Sequence, residues 1–318
     1  MGERESFRVG LIGARGYVGR EMLRLVDAHP RLSLAYATSR GTAGKPIAGE
    51  IPVYSGNETF IETSPGVLEH NADVVVLALP NGASDEYVEA IDRHCPSKVV
   101  VDLSADYRFD DDWVYGLSEH NTENIRRATR ISNPGCYATA MHLALGPIID
   151  LCAAPPHCFG VSGYSGAGTT PSEKNDPKIV GGNILAYAIT GHLHEREVSR
   201  HLGSPVRFAP SVGGHFRGIV MTAMCELREP VTVGDLASRY DRAYTGAPFV
   251  KFDGEGPVDL RGVVETNLAR VGALSVDADD PRRIGVVSSL DNLLKGAASQ
   301  AVQNINLALG LDMSEGLS

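Results

Sequence analysis

Five cysteines occur in the chain, and Cys136 stands apart from the rest. It lies in Ser132-Asn133-Pro134-Gly135-Cys136-Tyr137-Ala138-Thr139, where Asn-Pro-Gly forces a turn and an apolar segment follows. A thiol at a helix N-terminus feels the partial positive charge of the unpaired backbone N–H groups. That charge favours the thiolate, which is how a nucleophilic cysteine is prepared. A packed core cysteine is the competing reading. Cys95, Cys152, Cys158 and Cys225 sit in ordinary strand, helix or loop contexts and read as packing residues. A nucleophile needs a proton partner, and Gly191-His192-Leu193-His194-Glu195-Arg196-Glu197 offers two histidines entering a helix. Two residues apart, they point in different directions, so one of the pair faces a pocket. His215 and Arg217 form a second basic group ahead of a strand. His215 has no carboxylate or cysteine close by in sequence, so no metal centre is expected.

Anionic substrates call for arginine. Asp102-Leu103-Ser104-Ala105-Asp106-Tyr107-Arg108 leaves the carboxyl end of a strand, where α/β proteins bind ligands. Arg108 and Arg217 are therefore candidate carboxylate or phosphate clamps, with ion pairs to Asp106 or Glu119 as the structural alternative.

A second constellation lies near the N-terminus. Gly13-Ala14-Arg15-Gly16-Tyr17-Val18-Gly19 stands between an apolar run and a segment of helical spacing. The pattern is Gly-x-x-Gly-x-x-Gly rather than the commoner Gly-x-Gly-x-x-Gly, but the physical need is the same. A tight turn, close backbone approach and a helix N-terminus serve a pyrophosphate. The second strand ends in Thr38-Ser39-Arg40, where an NAD-selective site places an acid for the ribose hydroxyls. Ser39 and Arg40 suit a 2′-phosphate instead, so NADP(H) is the expected cofactor. Pro80, in Leu79-Pro80-Asn81-Gly82 after the third strand, is placed to pass beside it.

The elements that carry these residues follow from periodicity. Strands are expected at Phe7–Ile12, Leu32–Thr38, Asp73–Leu79 and Lys98–Leu103, and helices over Glu21–Val26 and Ser84–Arg93. Alternation of this kind predicts an α/β fold, a Rossmann-type doubly wound parallel sheet. Beyond residue 136 the spacing predicts an α+β catalytic domain. A long helix over Cys136–Cys152 precedes strands at Phe159–Ser162, Val206–Phe208, Ile219–Leu227 and Arg283–Leu290. The amphipathic Leu293–Leu309 ends at Gly310, a C-cap.

The chain has 318 residues, enough for one large domain or two ordinary ones. With 43% hydrophobic and 21% charged residues it is globular rather than disordered. Its net charge of −10 argues against a nucleic-acid partner, which needs a basic face. The odd cysteine count without a Cys-x-x-Cys pair argues against a disulfide framework and for a reducing, cytoplasmic setting. The opening MGERES lacks the apolar stretch of a signal peptide, and myristoylation at Gly2 is not expected. Ala138–Pro156 contains His142, Pro147 and Asp150 and reads as a buried helix, so no membrane partner is expected.

Several segments together resemble the N-acetyl-γ-glutamyl-phosphate reductase family, within the wider group that includes aspartate-semialdehyde dehydrogenase. They are Gly13–Gly19, Asp102–Phe109, Tyr115–Glu119, Ser132–Thr139, Ser162–Gly168 (SGYSGAG), Gly191–Glu195, Arg217-Gly218 and Leu290–Gly296 (LDNLLKG). The resemblance implies that Cys136 is the nucleophile, that His192 is the acid/base and that Glu195 orients the histidine pair. It implies that Arg108 and Arg217, with Asn133 and Glu195, serve the substrate, and that Ser162, Gly163, Asn292 and Lys295 lie near NADPH. It also implies a nucleotide domain of residues 1–135 and 293–318 around a catalytic domain of 136–292. A small-molecule acyl phosphate as substrate and a homo-oligomer, dimer or tetramer, are further expectations. A related reductase of aspartyl or aminoadipyl phosphate, a non-catalytic NADP-binding regulator, and a cofactor-free thiol hydrolase are the alternatives. The chain departs from the family at Pro210-Ser211-Val212-Gly213-Gly214-His215-Phe216-Arg217-Gly218. There the family carries Pro-His-Leu-x-Pro-Met-x-Arg-Gly, so the histidine has moved within the segment.

Overall fold

The computed structural model describes residues 6–317; the opening residues read above for a leader or a lipidated Gly2 lie outside them. The described chain divides into two compact units, Met1–Pro134 with Ala297–Ser318, and Gly135–Gly296.

The first unit opens with β1 (Phe7–Ile12), α1 (Tyr17–Ala28), β2 (Leu32–Ala37) and a short α2 (Ile47–Glu50). It continues with β3 (Val74–Leu77), α3 (Asp85–His94), β4 (Val99–Asp102), β5 (Val114–Tyr115), α4 (Ser118–Ile125) and β6 (Arg130–Ser132). These strands form one sheet in the order β2-β1-β3-β4-β6-β5, with every pair parallel. β3 and β4 are buried at each position, as the apolar runs Val74–Leu77 and Val99, Val100 and Val101 require of strands covered on both faces, and β4 ends in the buried Asp102. α1 lays Met22, Leu23, Leu25 and Val26 inward at helical spacing. The order reverses around β1, so the turns after β1 and β3 open on the crevice where doubly wound sheets bind ligands.

The second unit starts with α5 (Cys136–Leu145) and β7 (His157–Gly163). α6 (Pro177–Val180), β8 (Ile184–Ala186), α7 (Leu193–Leu202), β9 (Arg207–Gly213) and β10 (Ile219–Glu226) follow. α8 (Val233–Tyr244), β11 (Val250–Phe252), β12 (Ala269–Val276) and β13 (Arg283–Leu290) complete it. The sheet is mixed, in the order β11-β12-β13-β10-β7-β9-β8. α5 is apolar on all sides and buried along nearly its whole length, and it packs between the sheet and α7. β10 alternates strictly: Ile219, Met221, Ala223 and Cys225 face the helices, while Met224 and Glu226 face outward.

α9 (Ser299–Ala308) returns to the first unit. Its buried amides find partners there: Asn304 donates to the Gly116 carbonyl (2.8 Å) and Asn306 to that of Glu315 (2.9 Å).

One expectation differs from the structure. The helix expected over Cys136–Cys152 stops at Leu145, because Gly146-Pro147 cannot continue it, and Ile149–Leu151 is a separate 3₁₀ turn. The second compact unit ends at Gly296. There Leu294–Ala298 forms a π turn ahead of α9, held at its start by Asp291, which accepts the Leu293 and Leu294 N–H groups (2.9 and 3.2 Å). No helix among the described residues is long and apolar enough to cross a membrane.

Candidate active site

The nucleotide cradle of the first unit is made of backbone. Gly13 has φ +90°, and a Cβ there would stand 2.4 Å from the Ala78 carbonyl oxygen. A Cβ on Gly19 would stand 2.7 Å from the Ala14 backbone, so the third glycine lets α1 pack against the turn. Gly16 differs: it caps α1 and faces open space, which leaves room for a ligand to approach the helix N-terminus. The first turn of α1, with Tyr17 and Val18 half-buried, carries no acidic residue, so its dipole is uncompensated. The turn is tied to the end of β2, where Thr38 accepts the Gly13 N–H on Oγ1 (3.1 Å) and the Ala14 N–H on its carbonyl (3.0 Å). These features fit a dinucleotide: the glycines admit its pyrophosphate and the helix end favours its charge.

The side chains around the cradle divide. Ser39 is buried, and its hydroxyl accepts from Thr42 (2.7 Å) within the turn. Arg40 is exposed beyond it. The exposed Arg15 reaches the same corner, since a Cβ on Gly41 would stand 2.8 Å from its Nη1. Both arginines expected near the cofactor, Arg15 and Arg40, therefore stand at the end of β2. Pro80 is exposed, and its turn is closed by Asp106, which accepts the Gly82 and Ser84 N–H groups (2.7 and 3.2 Å). Arg108 is buried and donates to the carbonyls of Asn133 (2.9 Å) and Leu103 (3.1 Å). Asn133 accepts from Asn304 (3.0 Å) and donates to the Ala297 carbonyl (3.3 Å). Both residues hold the strand ends of this unit in shape.

The thiol site of the second unit is made of side chains. Cys136 is the first residue of α5, behind the cap Gly135, where a helix leaves N–H groups without intrahelical partners. A Cβ on Gly296 would stand 2.8 Å from the Cys136 Cβ, so that glycine gives the thiol its place. Tyr137 anchors the same turn by donating to the Ser211 carbonyl (2.6 Å). His192 caps α7, and its Nδ1 accepts the His194 N–H (3.1 Å). That bond fixes the neutral tautomer with hydrogen on Nε2, a donor. Burial pushes the His192 pKa down, and the charge of Lys174 adds to this against Glu197 and Glu195. The His192 ring lies 5.7 Å from that of Tyr187 and 6.4 Å from that of Tyr137. Burial raises the Tyr187 pKa, and electrostatic interaction with Cys136 adds to the rise.

Glu195 does not orient the histidine pair through its carboxylate, which accepts the Phe208 N–H (2.9 Å) and ties α7 to β9. The carboxylate nearest His194 is Glu197, 4.0 Å away and fully buried. It also accepts the Gly135 N–H (2.9 Å), and so holds the residue ahead of the thiol. Sequence reasoning missed Glu197. The signal was available, because His194 and Glu197 are i and i+3 on α7 whereas Glu195 points elsewhere.

Arg217 is committed to the buried Asp291 through Nε (2.7 Å) and Nη2 (3.2 Å). Asp291 also starts the π turn, so the pair ties Arg217 to that segment. Asn292 accepts the Gly218 N–H (2.6 Å) and donates to Ser165 (3.0 Å), and the Ser162 hydroxyl donates to the Gly163 carbonyl (3.0 Å). The backbones of Gly163, Tyr164 and Ser165 bond Gly218, His215 and Phe216. Gly163 must be glycine, since a Cβ would stand 2.5 Å from the Phe216 carbonyl oxygen. These bonds tie the loop to the 215–218 turn. Lys295 is fully buried in the π turn. His215, the displaced histidine, folds over Gly213 and bonds the Gly218 carbonyl (3.2 Å), so it closes its own turn.

Comparison with known proteins agrees with this division. Residues 8–128 match the model described as semialdehyde dehydrogenase, NAD binding domain, and 136–292 match semialdehyde dehydrogenase, dimerisation domain. The chain is 48% identical to an N-acetyl-gamma-glutamyl-phosphate reductase of Xanthomonas euvesicatoria, over 97% of each. It is 48% identical to one of Xylella fastidiosa, over 96% of this chain and 94% of the relative. Among solved structures, aspartate semialdehyde dehydrogenase II of Vibrio cholerae superimposes with a TM-score of 0.75 at 20% identity, covering 96% of this chain and 99% of that one. Aspartate semialdehyde dehydrogenase of Candida albicans, solved with NADP, gives 0.70 at 14% over 96% and 99%.

Proposed function

The chain belongs to the N-acetyl-γ-glutamyl-phosphate reductase family, and from that premise we propose that it reduces N-acetyl-γ-glutamyl phosphate to N-acetylglutamate 5-semialdehyde and phosphate through a thioester on Cys136. One observation carries the reading: a cysteine opens a buried helix beside Tyr137, whose ring stands 6.4 Å from that of a histidine held as a neutral Nε2 donor.

The Cys136 thiolate attacks the acyl carbon, the carbon–oxygen bond to phosphate breaks, and a neutral thioester remains. The glycine cradle would hold NADPH, which would supply the hydride that reduces the thioester. Charge then develops on the substrate oxygen, where the His192 Nε2–H donates and the first N–H groups of α5 add to an oxyanion site. Collapse of the thiohemiacetal frees the aldehyde and returns the thiolate, and the proton consumed leaves on phosphate. The tautomer suits the acid half of the role expected for His192. Arg40 and Arg15 favour the 2′-phosphate of NADP(H) over a bare ribose.

The same reading has two copies joined through the outward face of β7 and β10, where Phe159 (44% exposed) and Met224 (54%) stand uncovered. A Met224→Asp variant that loses its dimer in light scattering supports this; an unchanged mass refutes it. None of the five cysteines is in a disulfide, which suits a cytoplasmic setting.

The testing assay runs in reverse: N-acetylglutamate semialdehyde, phosphate and NADP⁺, with NAD⁺ as control. A rate that needs both phosphate and NADP⁺ supports the reading. A rate only with aspartate semialdehyde, or none, overturns it.

A further inference from the structure

We infer that the Lys174 ammonium is the cation that receives the phosphoryl group of the acyl phosphate at the thiol site. The inference rests on the reductase reading above and names an anion-binding residue within it.

Three observations converge on this side chain. Its Nζ lies 4.7 Å from the centroid of the Tyr187 ring, which lies 5.7 Å from the His192 ring and interacts electrostatically with Cys136. Among the described residues no carboxylate pairs with it. The arginine of this unit expected to bind an anion, Arg217, is engaged by the buried Asp291. Lys174 therefore brings to the Tyr187–His192 pair a positive charge that no carboxylate engages among the described residues.

The surroundings hold it in place. Asn175 closes the loop that carries it, donating to the carbonyls of Gly168 (2.9 Å) and Thr170 (2.8 Å) and accepting the Ser172 N–H (2.8 Å). Tyr187 is followed by Ala188 at φ +41°, a left-handed conformation for a non-glycine residue. Such backbone costs about 1 kcal/mol or more and persists where the surrounding fold imposes it.

Geometry favours the phosphoryl group over the substrate carboxylate. Thiol attack fixes the acyl carbon at Cys136, and the phosphoryl oxygen is bonded to that carbon. The carboxylate lies several bonds away along the extended glutamyl chain. A lysine, a point charge on a flexible stem, suits an anion that must arrive and leave. Around His192 the charged and titratable groups are Glu195, Glu197 and His194 of α7, Cys136 and Tyr137 of α5, Tyr187, and Lys174.

The test compares Lys174→Met, which keeps the stem, with Lys174→Arg, which keeps the charge. In the reverse reaction Lys174→Met should raise the KM for phosphate by about tenfold or more and leave the KM for NADP⁺ unchanged, and Lys174→Arg should restore most of the loss. The acid limb of the Lys174→Met rate profile should move to higher pH, because a positive neighbour of His192 is gone. An unchanged phosphate KM in Lys174→Met overturns the inference. So does a rise confined to the semialdehyde KM, which would assign Lys174 to the carboxylate. A second readout is independent of turnover: inorganic phosphate should slow alkylation of Cys136 in the natural protein and not in Lys174→Met. If the natural protein shows no phosphate-dependent reduction, the reductase reading fails, and the alkylation result alone decides the anion site.

Discussion

The two units build their sites from different materials. In the first, the cradle is backbone: Gly13 at positive φ, Gly19 pressed on Ala14, and Gly16 open toward a ligand. In the second, the thiol site is side chains locked by other side chains and by single backbone bonds, His192 by the His194 N–H and Gly135 by Glu197. A backbone site tolerates any residue that does not occupy the space. A side-chain site depends on partners far apart in sequence, so single changes should be more damaging there.

The largest effect should come from Cys136→Ser. Turnover should fall by about a thousandfold or more, while NADPH binding, measured by fluorescence, stays within about twofold because the cradle is untouched. Loss of binding as well would mean the two sites are not separable. Next, Glu197→Ala leaves the Gly135 N–H without its buried acceptor. We expect a loss of about 1–3 kcal/mol in denaturant unfolding and about ten- to a hundredfold in kcat. An unchanged kcat would reduce Glu197 to packing.

Gly13→Ala should act on the other unit alone. The methyl group would press on the Ala78 carbonyl at a left-handed φ, so NADPH affinity should drop by about tenfold with the Cys136 alkylation rate unchanged. A smaller change is expected from Arg40→Asp. It should weaken NADP⁺ and improve NAD⁺, moving the ratio of their kcat/KM values by about tenfold; an unmoved ratio would leave selectivity to Arg15.

The smallest and most graded effect is on pH. Burial first, then Lys174, hold the His192 pKa below 6.5. The folded protein therefore binds fewer protons than the unfolded one as pH falls through 6.5 toward the folded pKa. Stability contributed by neutral His192 is present above that window and declines through it. The Nδ1 bond to the His194 N–H opposes protonation in the same direction. The acid limb of the rate should thus lie below pH 6.5, and a limb above it would contradict the tautomer.

The same contrast explains what could be read from sequence. The strand–turn–helix around Gly13, Gly16 and Gly19 was legible because backbone requirements leave a spacing. The apolar runs of β3 and β4 announced a covered parallel sheet. The turn before Cys136 and the helix after it were legible as well. Partner choice was not. Asp291 takes Arg217, and Glu197 rather than Glu195 reaches toward His194. His215 bonds within its own turn. Each of these depends on which face of an element a side chain occupies and on what the fold brings opposite it. The helix break at Gly146-Pro147 was legible and outweighed by the apolar run around it.

The most direct test of the central claim is the intact mass of the protein after exposure to N-acetyl-γ-glutamyl phosphate without nucleotide. The account predicts one added N-acetylglutamyl group per chain, mapped to Cys136, with one equivalent of phosphate released. Phosphate release with no adduct, or an adduct that persists in Cys136→Ser, would contradict it.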